Sequence, residues 1–209
     1  MYEVIVLGAT FAAAGIAETY GKDCLVIEQR MDAGYEFFCA HFDSGPEVYP
    51  YLQKADVRFG SHIVSVEKTQ VGFVCTTHGV EGFCTFEAKR IIDTRVTPQM
   101  CESKAFPILI ASEEPPAFAG VSCKRIGETN HYIVSIPVSL SSGYPEARSA
   151  ALDVVKQFSQ TQKLIYSADQ FDYRVKDGYP KEENGILYLP SKAFDSPGRA
   201  FQAGKEAAR

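Results

Sequence analysis

The residues with the most chemical promise stand near the start of the chain. Gly8 closes an apolar run, Ala9, Thr10, Phe11, Ala12 and Ala13 follow it, and Glu28 lies twenty residues beyond Gly8. A glycine turn that opens a helix aims backbone N–H groups and the positive end of the helix dipole at one point, which suits an anion. A carboxylate that ends the next strand suits hydroxyl groups, whose hydrogen bonds it accepts. This chemistry is recognition, and no general acid or base can be named beside it. Gly-x-Ser-x-Gly and Gly-x-x-x-x-Gly-Lys-Ser/Thr are both absent, which argues against an α/β-hydrolase and a P-loop enzyme. His41, His62, His78 and His131 form no helical metal motif, and Cys39 with His41 suggests no third ligand, so no metal is expected. Tyr132, Tyr144, Tyr166, Tyr173 and Tyr179 read as packing residues.

Three elements must hold the glycine and the carboxylate. Val4-Ile5-Val6-Leu7 is a continuous apolar run, as expected of a strand buried on both faces, and predicts helices on both sides of its sheet. Ala9 to Tyr20 is rich in alanine with small residues along one side, which lets a helix lie close to a sheet, and Gly21-Lys22 is its stop. Cys24-Leu25-Val26-Ile27 is a second buried strand that runs into Glu28-Gln29-Arg30. Two strands and a helix within about thirty residues should be parallel with a right-handed crossover.

This unit resembles the dinucleotide-binding unit of the FAD/NAD(P)-binding Rossmann-type flavoproteins, the FAD-dependent oxidoreductases typified by glutathione reductase. The resemblance implies an α/β fold with a Rossmann-like parallel sheet, an antiparallel three-stranded meander and a small α+β cap insertion. It implies FAD as cofactor, with NAD(P) ranked behind it. The ADP part would lie over Gly8, Ala9, Thr10, Phe11 and Ala13, with Glu28, Gln29 and Arg30 at the adenosine ribose. Thr94 and Ser191 would stand toward the pyrophosphate and flavin. The family's Gly-x-Gly-x-x-Gly aligns with Gly8 to Ala13, so the first glycine is kept, alanine takes the third place and Thr10 takes the second. A β-branched residue there predicts strain of ~1–3 kcal/mol if the backbone keeps the family's shape.

The resemblance extends along the chain. Tyr35 to Tyr51 is aromatic and polar, with one short helix expected. Gly60–Lys68, Val71–Thr77 and Gly82–Ala88 alternate as the strands of a meander, with His78-Gly79 as a tight turn. Lys89 to Arg95 is then a short strand of its own, and its end, Asp93-Thr94-Arg95, aligns with the family's Ala-Thr-Gly beside the cofactor. Phe106–Ala111 and Tyr132–Leu140 read as strands, and Pro145 opens a helix over 145–160. Gly185 to Ser191 is a last buried strand and Pro197 to Ala208 a terminal helix, with Ser191 where the family carries an aspartate. Residues 1–99 and 180–209 are thus expected to form the cofactor domain, and 100–179 the cap.

Composition narrows the remaining choices. At 45% hydrophobic and 22% charged, the 209 residues suit a folded globular chain rather than a disordered one. A net charge of -5 without a basic run excludes nucleic acid as an expected partner. No apolar stretch approaches the ~20 residues that cross a bilayer, so no membrane partner is expected. Six cysteines without a Cys-x-x-Cys pair read as reduced thiols in a cytoplasmic protein. The expected function is an FAD-dependent oxidoreductase acting on an unidentified small molecule, with a second copy of the chain completing the cleft. The alternatives are a non-catalytic binding or interaction protein on the same scaffold, and a binder of a smaller adenine nucleotide.

Overall fold

The computed structural model describes residues 1–38, 47–168 and 170–209. Its chain divides into two compact units, Met1–Val96 with Lys176–Arg209, and Thr97–Val175.

The first unit is built around β1 (Tyr2–Leu7), which pairs in parallel with β2 (Cys24–Ile27) and with β6 (Gly82–Asp93). Parallel pairing continues to β3 (Asp56–Arg58) beside β2 and to β13 (Ile186–Tyr188) beside β6, with β12 (Lys181–Glu183) antiparallel outside. Alternate residues of β1 face opposite ways. Val4 and Val6 pack on α1 (Phe11–Tyr20) and α4 (Pro197–Ala207). Ile5 and Leu7 instead meet residues of β4 (His62–Lys68) and β5 (Phe73–Gly79), so helices cover one face and the meander covers the other. This corrects the expectation of helices on both sides: a strand buried on both faces requires apolar cover, and Phe73, Cys75, Ile63 and Val66 supply it.

The meander also differs in detail. β5 runs through Gly79, which pairs with Gly82, so the reversal falls on Val80-Glu81 and not on His78-Gly79, and Gly82 takes it up with φ +81°. The two strands expected over Gly82–Ala88 and Lys89–Arg95 are the single β6, antiparallel to β5 in its first half and parallel to β1 in its second. Lys89 and Arg90 do not interrupt it because their heads reach solvent, one at 2.6 Å from Glu3 and the other at 3.0 Å from the Tyr20 hydroxyl. A short α2 (Tyr49–Leu52) precedes β3.

α1 and α4 touch backbone to backbone. A Cβ on Gly15 would run into the Phe201 carbonyl and lie 2.9 Å from Lys205 N, and one on Gly204 would run into the Ala12 carbonyl. The small residues read in α1 therefore serve α4 as well as the sheet.

In the second unit, β7 (Cys101–Ala111) pairs antiparallel with β9 (His131–Val138), and β9 with β8 (Ser122–Arg125). β10 (Lys163–Ser167) and β11 (Asp172–Val175) also pair with β7. α3 (Tyr144–Val155) lays Ala147, Ala151 and Val154 on Phe106, Ile108 and Val134, ending before the predicted residue 160.

Candidate functional site

Because β1 and β2 run side by side and end together, the turn after one meets the residue after the other. Gly8 N donates to the Ile27 carbonyl at 2.8 Å, and φ of +95° makes this a glycine position. The Thr94 hydroxyl ties the turn from the far side, donating to the carbonyls of Leu7 and Gly8 at 3.0 and 3.1 Å. Thr10 is the N-cap of α1, its hydroxyl accepting from Ala13 N at 3.2 Å. Its φ of -98° and ψ of 177° are ordinary extended backbone, so the strain expected at this position is absent. The β-branched residue caps the helix and needs no unusual angles. Thr10→Ala should cost ~1 kcal/mol and Thr10→Gly a few tenths, read by denaturant unfolding.

The N–H groups of Ala9, Phe11, Ala12 and Ala13 all lie at this turn, and each is held by an oxygen of the chain. Ala9 N donates to Glu28 Oε2 at 2.8 Å, Phe11 N to Glu36 Oε1 at 2.7 Å and Ala12 N to Ser191 Oγ at 3.1 Å, with Ala13 N on Thr10. Ser191 is fully buried in a 3-10 turn between β13 and α4. Glu28 is buried too, its Oε1 accepting from Arg30 N at 2.7 Å and from the Tyr35 hydroxyl at 2.8 Å. Burial first, and Glu28 beside it, push the Tyr35 phenol up, so it remains a donor. The Arg30 guanidinium lies 4.0 Å over the Tyr35 ring.

Two further groups complete the site: Arg95, which the sequence aligns beside the cofactor, and Glu36, which sequence reasoning did not place here. Arg95 forms a two-pronged pair with buried Asp93, Nε to Oδ1 at 2.9 Å and Nη2 to Oδ2 at 2.7 Å. Its methylenes cover Gly8, where an added Cβ would sit 2.7 Å from Arg95 Cγ. The second is Glu36. Its carboxyl group is enclosed, with Oε1 on Phe11 N and Oε2 without a well-formed hydrogen bond. Burial pushes this carboxyl up to about 7, against the lowering pull of the Phe11 and Glu36 N–H groups, the Ser191 hydroxyl and the Lys192 ammonium. One sequence signal marks Glu36: it is the lone charge in the run Tyr35-Glu36-Phe37-Phe38, where aromatic neighbours carry it inward. Phe37 does so directly, packing edge-on against Phe11 at 5.8 Å between ring centres.

Of the residues singled out from the sequence, Gly8, Ala9, Thr10, Phe11, Ala13, Glu28, Thr94 and Ser191 come together here. Gln29 has an exposed side chain, and Arg30 contributes its backbone N–H to Glu28. Thr94 is spent on the turn's own carbonyls, which its assignment toward the pyrophosphate did not foresee. Cys39 and His41 lie outside the described residues. Among the described residues no three potential metal ligands cluster, and no helix is long and apolar enough to cross a membrane.

No protein-family model matches the chain, and no curated protein matches it. Solved structures do. The chain is similar to a geranylgeranyl bacteriochlorophyll reductase-like protein from Thermoplasma acidophilum, at 14% identity over 99% of this chain and 77% of that one, with a TM-score of 0.67. It is also similar to the p-nitrophenol 4-monooxygenase of Pseudomonas putida DLL-E4, at 8% identity over 90% of this chain and 72% of that one, TM-score 0.62. A third is an aklavinone-11 hydroxylase solved in a ternary complex with FAD and aklavinone, at 11% identity over 99% of this chain and 61% of that one, TM-score 0.61. The chain has the Rossmann-like α/β fold of these structures, a mainly parallel sheet with a second, antiparallel sheet. These neighbours are a reductase-like protein, a monooxygenase and a hydroxylase, so the narrower likeness to glutathione reductase is not carried by them.

In this fold the turn after β1 fits the ADP half of FAD in kind. A helix N-terminus, a glycine turn and a buried carboxylate at the end of β2 are all present. A carboxyl oxygen of Glu36 already sits on Phe11 N, the first N–H of the helix. Pyrophosphate and the Glu36 carboxylate would use the same N–H group.

Proposed function

We propose that the protein is an FAD-dependent oxidoreductase acting on a small molecule, with the ADP part of the cofactor at the β1–α1 turn. The observation that carries this reading is the helix N-terminus whose N–H groups converge on the glycine turn beside buried Glu28, within a fold shared with an FAD-bound hydroxylase. FAD would supply the electron transfer. The chain's own part is to bind and orient it. Ala9, Phe11 and Ala12 offer N–H groups to the pyrophosphate, Glu28 accepts from the ribose hydroxyls, and Ser191 offers a hydroxyl beside Ala12. Glu28 could serve the ribose by exchanging the Tyr35 hydroxyl for a sugar hydroxyl, a swap of like donors.

Reconstitution tests the reading. Protein incubated with FAD and freed of excess cofactor should keep an absorbance band near about 450 nm and melt at a higher temperature. A colourless product whose melting point ignores FAD would overturn it and leave a scaffold serving as a binding or interaction protein.

A further inference from the structure

We infer that Glu36 is an internal competitor for the pyrophosphate position, so that the cradle exists in a closed form with the carboxylate seated on Phe11 N and an open form that admits an adenine nucleotide. This rests on the cofactor reading above and adds its regulation. The geometry points to it through three observations. The carboxylate oxygen is 2.7 Å from the first N–H of a ten-residue helix, the place where a helix best holds an anion. The seat is a poor one for a permanent resident: Oε2 is enclosed without a well-formed hydrogen bond, which makes a buried charge there costly. The neighbouring donors are satisfied by groups that are easier to reconcile with a ligand. Ser191 Oγ and Thr10 Oγ1 are neutral hydroxyls and the Glu28 carboxylate on Ala9 N also accepts from Arg30 N and the Tyr35 hydroxyl, whereas Glu36 places a carboxylate on the first N–H of the helix, where its charge opposes a phosphate.

The carboxylate arrives from the segment after β2, which is folded back over the turn. Gly34 N donates to the Ala9 carbonyl at 2.9 Å, Phe37 rests on Phe11, and the Lys192 ammonium lies 4.4 Å over the Phe37 ring. Ala33 and Phe37 of this segment are buried in one core with Phe11 and Val48, so releasing Glu36 carries the cost of uncovering that core face and of freeing Tyr35 from Glu28, while the pairing of β1 with β2 is left in place. Nucleotide affinity is then set by how readily this segment leaves as well as by the contacts made with the cradle.

The test uses the full chain with ADP and FAD as separate probes, in wild type, Glu36→Gln and Glu36→Ala. Calorimetry gives the affinity for each, and hydrogen exchange reports the Phe11 amide. Removing the competing charge should tighten ADP binding by roughly tenfold or more, the equivalent of one charge-assisted hydrogen bond. Glu36→Gln, which keeps the shape, should show most of that gain. In Glu36→Ala without ligand the Phe11 amide should exchange faster than in wild type, and ADP should slow it again. Equal affinities in all three proteins would overturn the competition and leave the cofactor reading standing. Absence of ADP and FAD binding in all three, with their folds intact by circular dichroism, would overturn both.

Discussion

Gly204→Ala is expected to destabilise the first unit by about 3 kcal/mol or more, lowering its melting temperature by about 10 °C. The added methyl has nowhere to go: it would meet the Ala12 carbonyl and lie 2.8 Å from that carbonyl carbon, and these are backbone atoms that no rotamer change can move. α4 would have to lift from α1, exposing part of the cluster formed by Ala13, Ile16, Ala17 and Ala200. The displaced residue is also the one whose N–H is bonded to Ser191, so the nucleotide cradle should loosen with it. Gly15→Ala should behave alike from the opposite helix, because its methyl would strike Phe201. Gly198→Ala is the control. That residue sits exposed in the same helix with no atom near its would-be Cβ, and alanine there should be neutral or stabilise by up to about 1 kcal/mol. Equal melting temperatures for Gly204→Ala and Gly198→Ala would refute the close crossing.

Much of this architecture is legible in the sequence because local patterns and tertiary demands agree. Val4 to Leu7, the alanine-rich helix, Cys24 to Ile27 and the terminal helix from Pro197 fall where their apolar periodicity and end signals put them. The failures have physical causes too. Lys89-Arg90 looked like a boundary, yet long charged side chains leave a strand intact when their heads reach solvent. β8, β11 and β12 are short and polar, and their pairing with neighbouring strands rather than their composition defines them. The cover over Ile5 and Leu7, expected to be helical, is the meander, because an apolar face specifies only that it be covered.

At the site, the scaffold was legible and the occupant was not. Gly8 and Glu28 carry a spacing that fixes a strand, a turn and a second strand end, and their meeting follows from parallel pairing. Thr10 misled through its alignment with a glycine, since its actual place is the helix cap. Arg95 follows Thr94 at the strand end that the sequence already sets beside the turn, and its pair with Asp93 fixes it there, whereas Glu36 reaches the turn from a segment whose path depends on packing, through Phe37 on Phe11. Such long-range placement leaves only a trace in the chain, a single charge among aromatic residues.

Replacing that charge should change how stability depends on pH. In the unfolded chain the Glu36 carboxyl loses its proton near the ordinary 4.5, whereas in the folded protein burial holds the proton to about 7. Between those values the folded state binds one more proton than the unfolded state, so Glu36 makes stability fall as pH rises through the window, and it adds no slope below or above. A shift of this size corresponds to about 3 kcal/mol across the window. Glu36→Gln has no such proton to lose. Its stability should track wild type near pH 4.5, pull ahead as pH rises and hold a lead of a few kcal/mol at pH 8, read by denaturant unfolding at each pH. The groups around the carboxyl sharpen the comparison. The Phe11 and Glu36 N–H groups, the Ser191 hydroxyl and the Lys192 ammonium favour its ionised form in wild type alone, so the difference between the two curves reports the net cost of that charge, burial less their pull. Parallel curves would mean that the carboxylate is at ease on the helix. A lead that opens above pH 4.5 would mean that its ionised form sits there at a cost, as a displaceable anion must.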